Sequence, residues 1–293
     1  MNTLSQRPGR WWSTLVFRSS VVLAALLVPI NLWYVFANKS PDRLNVALQT
    51  QFGDDYTQWL GSFLFLRDSL IIPSFFFAML VMVAVLFWHY KKFGPKNMEI
   101  QGEGDVIEWW SLTERVNHAV MVVAFFLLML SGLTITFGKV LPSGVLVRAL
   151  HELVGFVFAP SLALMLVLWF KNGLFKSYDA EWFKHMGGYL GEVKVKLTAG
   201  KFNAGQKLFY WVVILSGIIL TVSGFALFLE FGNPAERRMW LVLHFYSMIP
   251  LILMVFLHVY LAVWGVKGAL RGMIDGKFSK KAAETYHKEA LKD

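Results

Sequence analysis

The stretch LHFYSMIPLILMVFLHVY, residues 243–260, carries two histidines in an otherwise largely apolar sequence. An ionisable side chain is costly inside a bilayer, so His244 and His258 are both candidate functional residues. Fourteen residues of α-helix rise roughly 21 Å and turn about 40° short of four full turns. The two imidazoles would therefore point the same way, one near each edge of a hydrocarbon core about 30 Å thick. The stretch predicts a membrane-spanning helix with two sites at different depths.

The composition is that of a membrane protein. Of the 293 residues 56% are hydrophobic, and the mean hydropathy is +0.52. The absence of cysteine excludes disulfides, iron–sulfur clusters held by this chain, c-type haem attachment and zinc–thiolate sites. The net charge of +9 comes mainly from Lys and Arg between the apolar runs, so we expect membrane lipid and no nucleic acid as a partner.

Six apolar runs are long enough, or nearly so, to cross a bilayer. They cover residues 19–37, 71–90, 116–137, 149–170, 208–230 and 240–265. The last four lie close together along the chain. We therefore predict an all-α integral membrane protein, in which a four-helix transmembrane bundle is preceded by one or two extra N-terminal transmembrane helices.

Lysine is concentrated in alternate connections between these runs: residues 91–92, 169–207 and the segment after 265. The positive-inside rule places such connections in the cytoplasm. Six spans then put both termini inside, if the first run is retained. Residues 1–37 have a basic start, an apolar core and Ala37 at a plausible cleavage point, so they are either a signal peptide or a first transmembrane helix.

Four of the seven histidines lie in the apolar runs of the block, and their depths suggest two pairs. His118 and His258 lie near the cytoplasmic edge, and His151 and His244 near the outer edge. Two imidazoles that face each other at one depth suit axial ligation of a b-type haem. The alternatives are a proton relay, another metal or coincidence. The other histidines are interpreted as surface residues: His89, His185 and His287.

Glycines on the same helices fit a bound porphyrin. Gly155 lies one turn after His151 on the same helix face, where a missing side chain would let a porphyrin approach. Gly132 lies at the depth of the outer pair, and Gly217 and Gly224 could serve in the same way. The alternative is that these glycines only let the helices pack closely.

The motif NAGQK, residues 203–207, comes directly before the fifth run, at the cytoplasmic edge. Asn203 and Gln206 supply amide hydrogen-bonding groups, and Gly205 permits a close backbone approach. A quinone needs hydrogen bonds to its carbonyl oxygens, an apolar slot and a proton source, and this position offers all three. The alternative is a helix N-cap by Asn203 followed by a lysine, Lys207, at the membrane interface.

Residues from about 110 to 275 resemble the cytochrome b, or gamma, subunit of membrane-bound respiratory formate dehydrogenases. The resemblance rests on the motifs RVNHAVMV, HELVGF, NAGQKLFYW, HFYSMIPLILMVFLH and the GAL turn at 268–270. The histidine spacing together with NAGQK is specific, whereas a lone HxxxG would not be. The first hundred or so residues depart from the shorter family members, and this leaves the role of that extension open.

The resemblance implies a set of site residues, cofactors and partners. Two b haems would be held by four helices, the outer one by His151 and His244 and the inner one by His118 and His258. The quinone, menaquinone or ubiquinone, would lie at Asn203, Gly205 and Gln206 beside His258. The implied partners are an iron–sulfur beta subunit and a molybdenum or tungsten catalytic alpha subunit, in a complex that could assemble further.

From these observations and the resemblance, we expect the chain to divide into four parts. Residues 1–37 are the signal peptide or first helix, and 38–110 are an outer segment, the second transmembrane helix and a cytoplasmic linker. Residues 111–275 form the di-haem cytochrome b bundle, and 276–293 form a cytoplasmic tail.

The hypothesis for the function is an electron-transfer subunit of the bacterial inner membrane. It would pass electrons from a periplasmic-side iron–sulfur subunit to a quinone near the cytoplasmic face, and formate oxidation would occur on a partner, so we expect no catalytic residue for it here. Related cytochromes b serve nickel–iron hydrogenases and thiosulfate reductase-like enzymes, which are the nearest alternatives. A haem-free proton-relay transporter and a haem-free membrane anchor are the others.

Overall fold

The computed structural model describes residues 67–97, 104–136, 144–191 and 193–292. The first predicted run, residues 19–37, lies outside the described residues. The choice between a signal peptide and a first transmembrane helix for residues 1–37 therefore stays a prediction.

The described residues are mostly helical. In chain order they form α1 (Ile72–Lys92), β1 (Val106–Glu108), α2 (Leu112–Thr136), α3 (Val145–Gly173), α4 (Tyr178–Lys184), α5 (Ala204–Phe228), α6 (Pro234–Tyr260), α7 (Ala269–Asp275), β2 (Lys277–Ser279) and α8 (Lys280–Tyr286). π-Helical turns at Arg67–Ile71 and Leu261–Gly265 precede α1 and extend α6, and short 3-10 helices cover Met186–Gly188 and Lys288–Leu291.

Five of these helices are long and apolar enough to cross a membrane: α1, α2, α3, α5 and α6. They coincide with the second to sixth predicted runs, and the predicted all-α membrane architecture is confirmed for the described residues. Among the described residues, one extra helix, α1, precedes the four-helix block.

The helices α2, α3, α5 and α6 form the bundle. α2 packs against α3, α5 packs against α6, and α3 joins these two hairpins by packing against α5, while α1 lies against α6. The buried core between them contains Met121, Ala124, Val154, Phe158, Leu162, Met165, Trp169, Tyr210, Val213, Ile214 and Leu251. Many large apolar side chains on the outer faces are exposed, as expected where lipid rather than protein covers a helix.

Three bundle helices begin with a capping box, in which two side chains three residues apart accept hydrogen bonds from each other's backbone N–H. The boxes are Ser111 with Glu114 at α2, Asn203 with Gln206 at α5, and Asn233 with Glu236 at α6. Each box satisfies N–H groups that the start of a helix would leave without partners. The caps therefore define where these helices begin.

A folded layer covers the end of the bundle at which α1, α3 and α6 finish and α2 and α5 begin, which we call the Lys-rich end. This end layer comprises the described residues of 94–110, 174–203 and 266–292. In it, β1 pairs with β2 in antiparallel orientation and Trp109 stacks on Phe278 at 4.8 Å. The backbone N–H of Glu289 donates to the carbonyl of Ala199 (3.1 Å). The segment predicted as a tail thus packs on the loop before α5.

The interpretation of three histidines as surface residues was wrong for two of them. His89 is buried at the end of α1, where its ring nitrogens lie 2.7 Å from the Tyr260 hydroxyl and 2.9 Å from the Tyr189 carbonyl. His287 is buried in the end layer, and His185 is half-buried. Both errors have one cause: the burial comes from segments distant along the chain, so a local reading of hydrophobicity does not detect it.

Candidate functional site

The structure brings the four histidines of the bundle together in the two predicted pairs. At the Lys-rich end, the ring centroids of His118 on α2 and His258 on α6 are 6.3 Å apart. Towards the opposite end, those of His151 on α3 and His244 on α6 are 6.2 Å apart. Two separate sites therefore lie within the bundle, and α6 contributes one residue to each.

These separations fit one metal atom held between two imidazoles. A metal–imidazole bond is about 2 Å long and the nitrogen lies about 1 Å from the ring centroid, so two axial imidazoles place their centroids about 6 Å apart. No group of three or more His, Cys, Asp and Glu side chains arranged to hold a metal ion occurs within the described residues. Two protein ligands per site suit a metal whose other ligands come from a porphyrin.

A serine fixes the orientation of the His151 ring. The Ser131 hydroxyl donates to the Leu127 carbonyl at 2.6 Å, and its oxygen lies 2.9 Å from Nδ1 of His151. Because the hydroxyl proton is already donated to Leu127, the serine oxygen accepts the hydrogen bond from His151, and Nδ1 carries the hydrogen. Nε2 of His151 then keeps its lone pair, which is the form that binds a metal.

The same arrangement occurs at His244. The Ser223 hydroxyl donates to the Ile219 carbonyl at 2.6 Å, and its oxygen lies 2.9 Å from Nδ1 of His244. Each serine lies on the helix that precedes its histidine in the sequence. In each hairpin of the bundle, a serine therefore fixes the tautomer of one histidine of the pair farther from the Lys-rich end.

The pair at the Lys-rich end is held by aromatic contacts. The His258 ring stacks on Phe209 of α5 at 4.3 Å with an angle of 3° between the planes. His118 lies beside Trp169, with 6.4 Å between the ring centroids. Next to His118, the buried Asn117 amide donates to the Ser161 carbonyl (3.0 Å), which fixes α2 against α3.

The four predicted glycines have three kinds of surroundings. A Cβ added at Gly132 would lie 3.2 Å from Cε1 of His151, and one at Gly224 would lie 3.4 Å from Cε1 of His244. At Gly155 an added Cβ would meet no atom within 4 Å, so there is room beside the helix as a porphyrin would need. Gly217 instead lies against Leu162, as the helix-packing alternative predicts.

In the NAGQK motif, the side chains of Asn203 and Gln206 form the capping box of α5. Oδ1 of Asn203 accepts from the Gln206 backbone N–H and Oε1 of Gln206 accepts from the Asn203 backbone N–H, each at 2.9 Å. The box occupies the acceptor oxygens, so the NH₂ groups are what these two amides can offer a ligand. Asn203 is therefore the N-cap of α5, as the alternative predicted, and the capping box leaves donors suited to a quinone carbonyl.

The last residue of the motif is buried rather than interfacial. Nζ of Lys207 lies 2.7 Å from Oδ2 of Asp179 on α4, and the two side chains are 2% and 3% exposed. On the same short helix, the Trp182 ring covers Gly205, where an added Cβ would lie 2.6 Å from the indole. α4 thus forms a wall beside the motif, and the ion pair holds it there.

Several of these residues were missed from the sequence. Ser131 and Ser223 each precede a glycine, and they lie 20 and 21 residues before the histidine that they contact. This repeated Ser-Gly pair at a similar distance before a histidine is a signal that could have found them. Asp179 and Trp182 lie in the polar sequence between two apolar runs, where the short helix α4 forms, and they give no such signal.

The chain is similar to known membrane cytochromes. Residues 109–276 match the family model described as prokaryotic cytochrome b561. The cytochrome b556(fdo) subunit of formate dehydrogenase from Escherichia coli strain K12 is 30% identical over 193 residues, 62% of this chain and 90% of the relative. The nitrate-inducible cytochrome b556(Fdn) subunit of the same organism is 31% identical over 59% of this chain and 85% of the relative.

A cytochrome b556 subunit of formate dehydrogenase from Haemophilus influenzae is 26% identical over 59% of this chain and 77% of its own length. The matched region of the family model contains the four bundle helices and all four paired histidines. The chain belongs to the prokaryotic cytochrome b561 family.

Proposed function

We propose that this chain is the di-haem b subunit of a formate dehydrogenase complex, which passes electrons across the membrane to a quinone. The observation that carries the proposal is the presence of two histidine pairs, with centroids 6.2 and 6.3 Å apart, at two levels of one bundle. The relatives named as formate dehydrogenase subunits support the choice of complex. The partners would be an iron–sulfur subunit and a molybdenum or tungsten catalytic subunit.

The residues that would hold the haems are His151 and His244 for the outer haem, and His118 and His258 for the inner one. When bound, the haems supply one-electron transfer through the apolar core of the bilayer. Ser131 and Ser223 hold the outer imidazoles in the tautomer that leaves Nε2 free.

The proposed quinone site lies at the Lys-rich end. The NH₂ groups of Asn203 and Gln206 would donate to a quinone carbonyl, and Trp182 would form an apolar wall. Phe209, which stacks on His258, is three residues after Gln206 and so on the same side of α5. This contact links the inner histidine pair to the amides of NAGQK.

The orientation follows from the lysines. The end layer contains Lys176, Lys184, Lys194, Lys196, Lys267 and Lys288 among others, so the positive-inside rule makes the Lys-rich end cytoplasmic. In a bacterial inner membrane, electrons would then enter from the periplasmic side and reach the quinone near the cytoplasm, where its protons are taken up. Charge separation would follow from this arrangement.

Copurification combined with an absorption spectrum tests the proposal. The chain, tagged and extracted from its native membrane, should bring down iron–sulfur and molybdenum or tungsten subunits and show a b-type haem spectrum that formate reduces. If subunits of a hydrogenase or of a thiosulfate reductase-like enzyme copurify instead, the chain would be assigned to that complex and not to a formate dehydrogenase. A protein without a haem spectrum would overturn the cytochrome function and favour a transporter or a simple anchor.

The serine contacts give a sharper prediction. Ser131→Ala and Ser223→Ala should each loosen the outer haem, because loss of a hydrogen-bond partner of a metal-binding histidine typically costs 10–100-fold in affinity. The measurement is the rate of haem transfer to a haem-scavenging protein. Ser216→Ala is the matched control, since Ser216 is a buried serine of α5 in no described contact with either histidine. Haem transfer as slow as in this control would rule out the role of the serines.

A further inference from the structure

The end layer contains a cavity of about 340 Å³ next to the proposed quinone site. Asn203 and Trp182 form part of its wall, and so does His287 from the C-terminal segment. Other wall residues, including Val195 and Lys196, are exposed to solvent. The cavity therefore lies between the NAGQK motif and the medium on the Lys-rich side of the protein.

His287 lies in this wall, and one of its ring nitrogens makes a hydrogen bond. Its Nδ1 lies 2.7 Å from the Gly200 carbonyl, which can only accept a hydrogen bond, so Nδ1 carries the hydrogen. Nε2 has no hydrogen-bond partner among the described residues and is available to gain or lose a proton. Gly200 is three residues before Asn203, so this contact ties the histidine to the segment that carries the proposed quinone ligand.

Few groups in the described surroundings of His287 could carry a proton in its place. Trp109 and Phe278 flank the ring, each with its centroid 5.5 Å away. The charged groups among the described wall residues are Lys96, whose Nζ donates to the Gly187 carbonyl, and the exposed Lys196.

The remaining titratable neighbours are less suited to carry protons. Tyr286 and Tyr189 also line the cavity, and burial raises the pKa of Tyr189 to about 12, which makes it a poor proton donor at neutral pH. Beyond His287 along the chain, Lys288 is exposed and Glu289 pairs with Lys292 (2.8 Å). Burial lowers the pKa of His287, and its hydrogen bond to Gly200 partly opposes this, so the neutral ring that can accept a proton prevails at neutral pH.

We propose that His287 is a proton-relay residue, which takes protons from the medium at Nε2 and passes them through the cavity towards the quinone beside Asn203. The inference rests on the proposed function. Reduction of one quinone to a quinol consumes two electrons, supplied by the formate-oxidising partner, and two protons, one for each carbonyl oxygen. For each proton, the neutral ring takes up H⁺ from the medium at Nε2, becomes an imidazolium, and becomes neutral again when it passes H⁺ towards the quinone oxygen.

The test uses the whole complex in membrane vesicles, with formate as donor and a soluble quinone analogue as acceptor. His287→Asn keeps a donor NH₂ near the position of Nδ1, so the contact with Gly200 can persist while the titratable nitrogen is lost. We expect reoxidation of the formate-reduced haems by quinone to slow at least tenfold at pH 8 and less at pH 6, since general acid–base groups are typically worth 10²–10⁴-fold. Formate oxidation with an artificial dye, and haem reduction before quinone is added, should stay unchanged.

Two further measurements separate a relay from a structural role. Added imidazole should restore quinone reduction in the His287→Ala variant, because the cavity can admit imidazole. The control variant is His185→Asn, which should behave as wild type because His185 is half-buried and lies outside the cavity wall. Wild-type rates in His287→Asn at every pH, or a loss that neither pH nor imidazole changes, would overturn the relay.

If the complex with His287→Asn does not assemble, the relay is tested instead with Val195→Trp, which changes an exposed residue of the cavity wall. It should slow quinone reduction most at high pH, and normal rates would reject the inference. A wild-type complex whose formate-reduced haems are not reoxidised by quinone would instead show that the proposed function itself fails.

Discussion

Replacement of His258 by alanine is expected to remove one of the two proposed b haems and leave the other in place. His258 is the α6 partner of His118, and its loss leaves a single imidazole at the Lys-rich end. It also removes the ring that stacks on Phe209 at 4.3 Å. The haem-to-protein ratio should fall by half, and quinone reduction by formate should be abolished because the path to the quinone is interrupted.

The residual spectrum identifies which haem has gone. The pair of His151 and His244 keeps both serine contacts in this variant, so its bis-histidyl signal should persist. His244→Ala is the reciprocal variant and should retain only the inner signal, while His185→Ala should retain both. If His258→Ala kept both bis-histidyl signals, the assignment of the inner ligands would be wrong.

The five described spans could be predicted from the sequence because the bilayer imposes a simple requirement of about 20 apolar residues per helix. Their ends could not. α6 begins at Pro234 rather than at the predicted residue 240, since its first two turns, PAERRMW, are polar and are stabilised by the capping box of Asn233 and Glu236. Hydropathy detects the membrane-embedded part of a helix, whereas a capping box also stabilises turns outside it.

The pairing of histidines could also be predicted, because equal depth in a bilayer follows from position within a span. The polar contacts around the site could not. His287 meets Gly200 from 87 residues away, and Lys207 meets Asp179 from 28 residues away. These contacts depend on how the end layer folds over the bundle, and no periodicity in the sequence reports that folding.

Breaking the buried ion pair of Lys207 and Asp179 from one side is expected to destabilise the end layer strongly. Lys207→Met would leave the Asp179 carboxylate buried with only the Lys176 backbone N–H (2.7 Å) as a donor, since Oδ1 has no partner among the described residues. Breaking one side of a buried pair typically costs about 3–5 kcal/mol. The temperature at which the purified complex loses half of its haem absorbance should fall accordingly.

Two comparisons show whether burial is the cause. Replacement of both partners, Lys207→Met with Asp179→Leu, should recover most of the loss, because apolar residues of similar size often substitute for a buried pair without cost. Lys201→Met removes an ion pair of equal length, since Nζ of Lys201 lies 2.7 Å from Glu114. Lys201, however, is 23% exposed, and the Glu114 carboxylate keeps the Trp169 and Ser111 N–H groups as donors. Its effect should be smaller. Equal losses in Lys201→Met and Lys207→Met would contradict the explanation.

The Lys207→Met variant also connects the stability of the end layer to the proposed quinone site. Asp179 and Trp182 lie on one helix of seven residues, so release of Asp179 should let the indole move away from Gly205. The KM for a quinone analogue should then rise in Lys207→Met at temperatures where the protein is still folded, while formate oxidation with a dye is unchanged. An unaltered KM would mean that the ion pair only stabilises the fold and that α4 does not form a wall of the proposed quinone site.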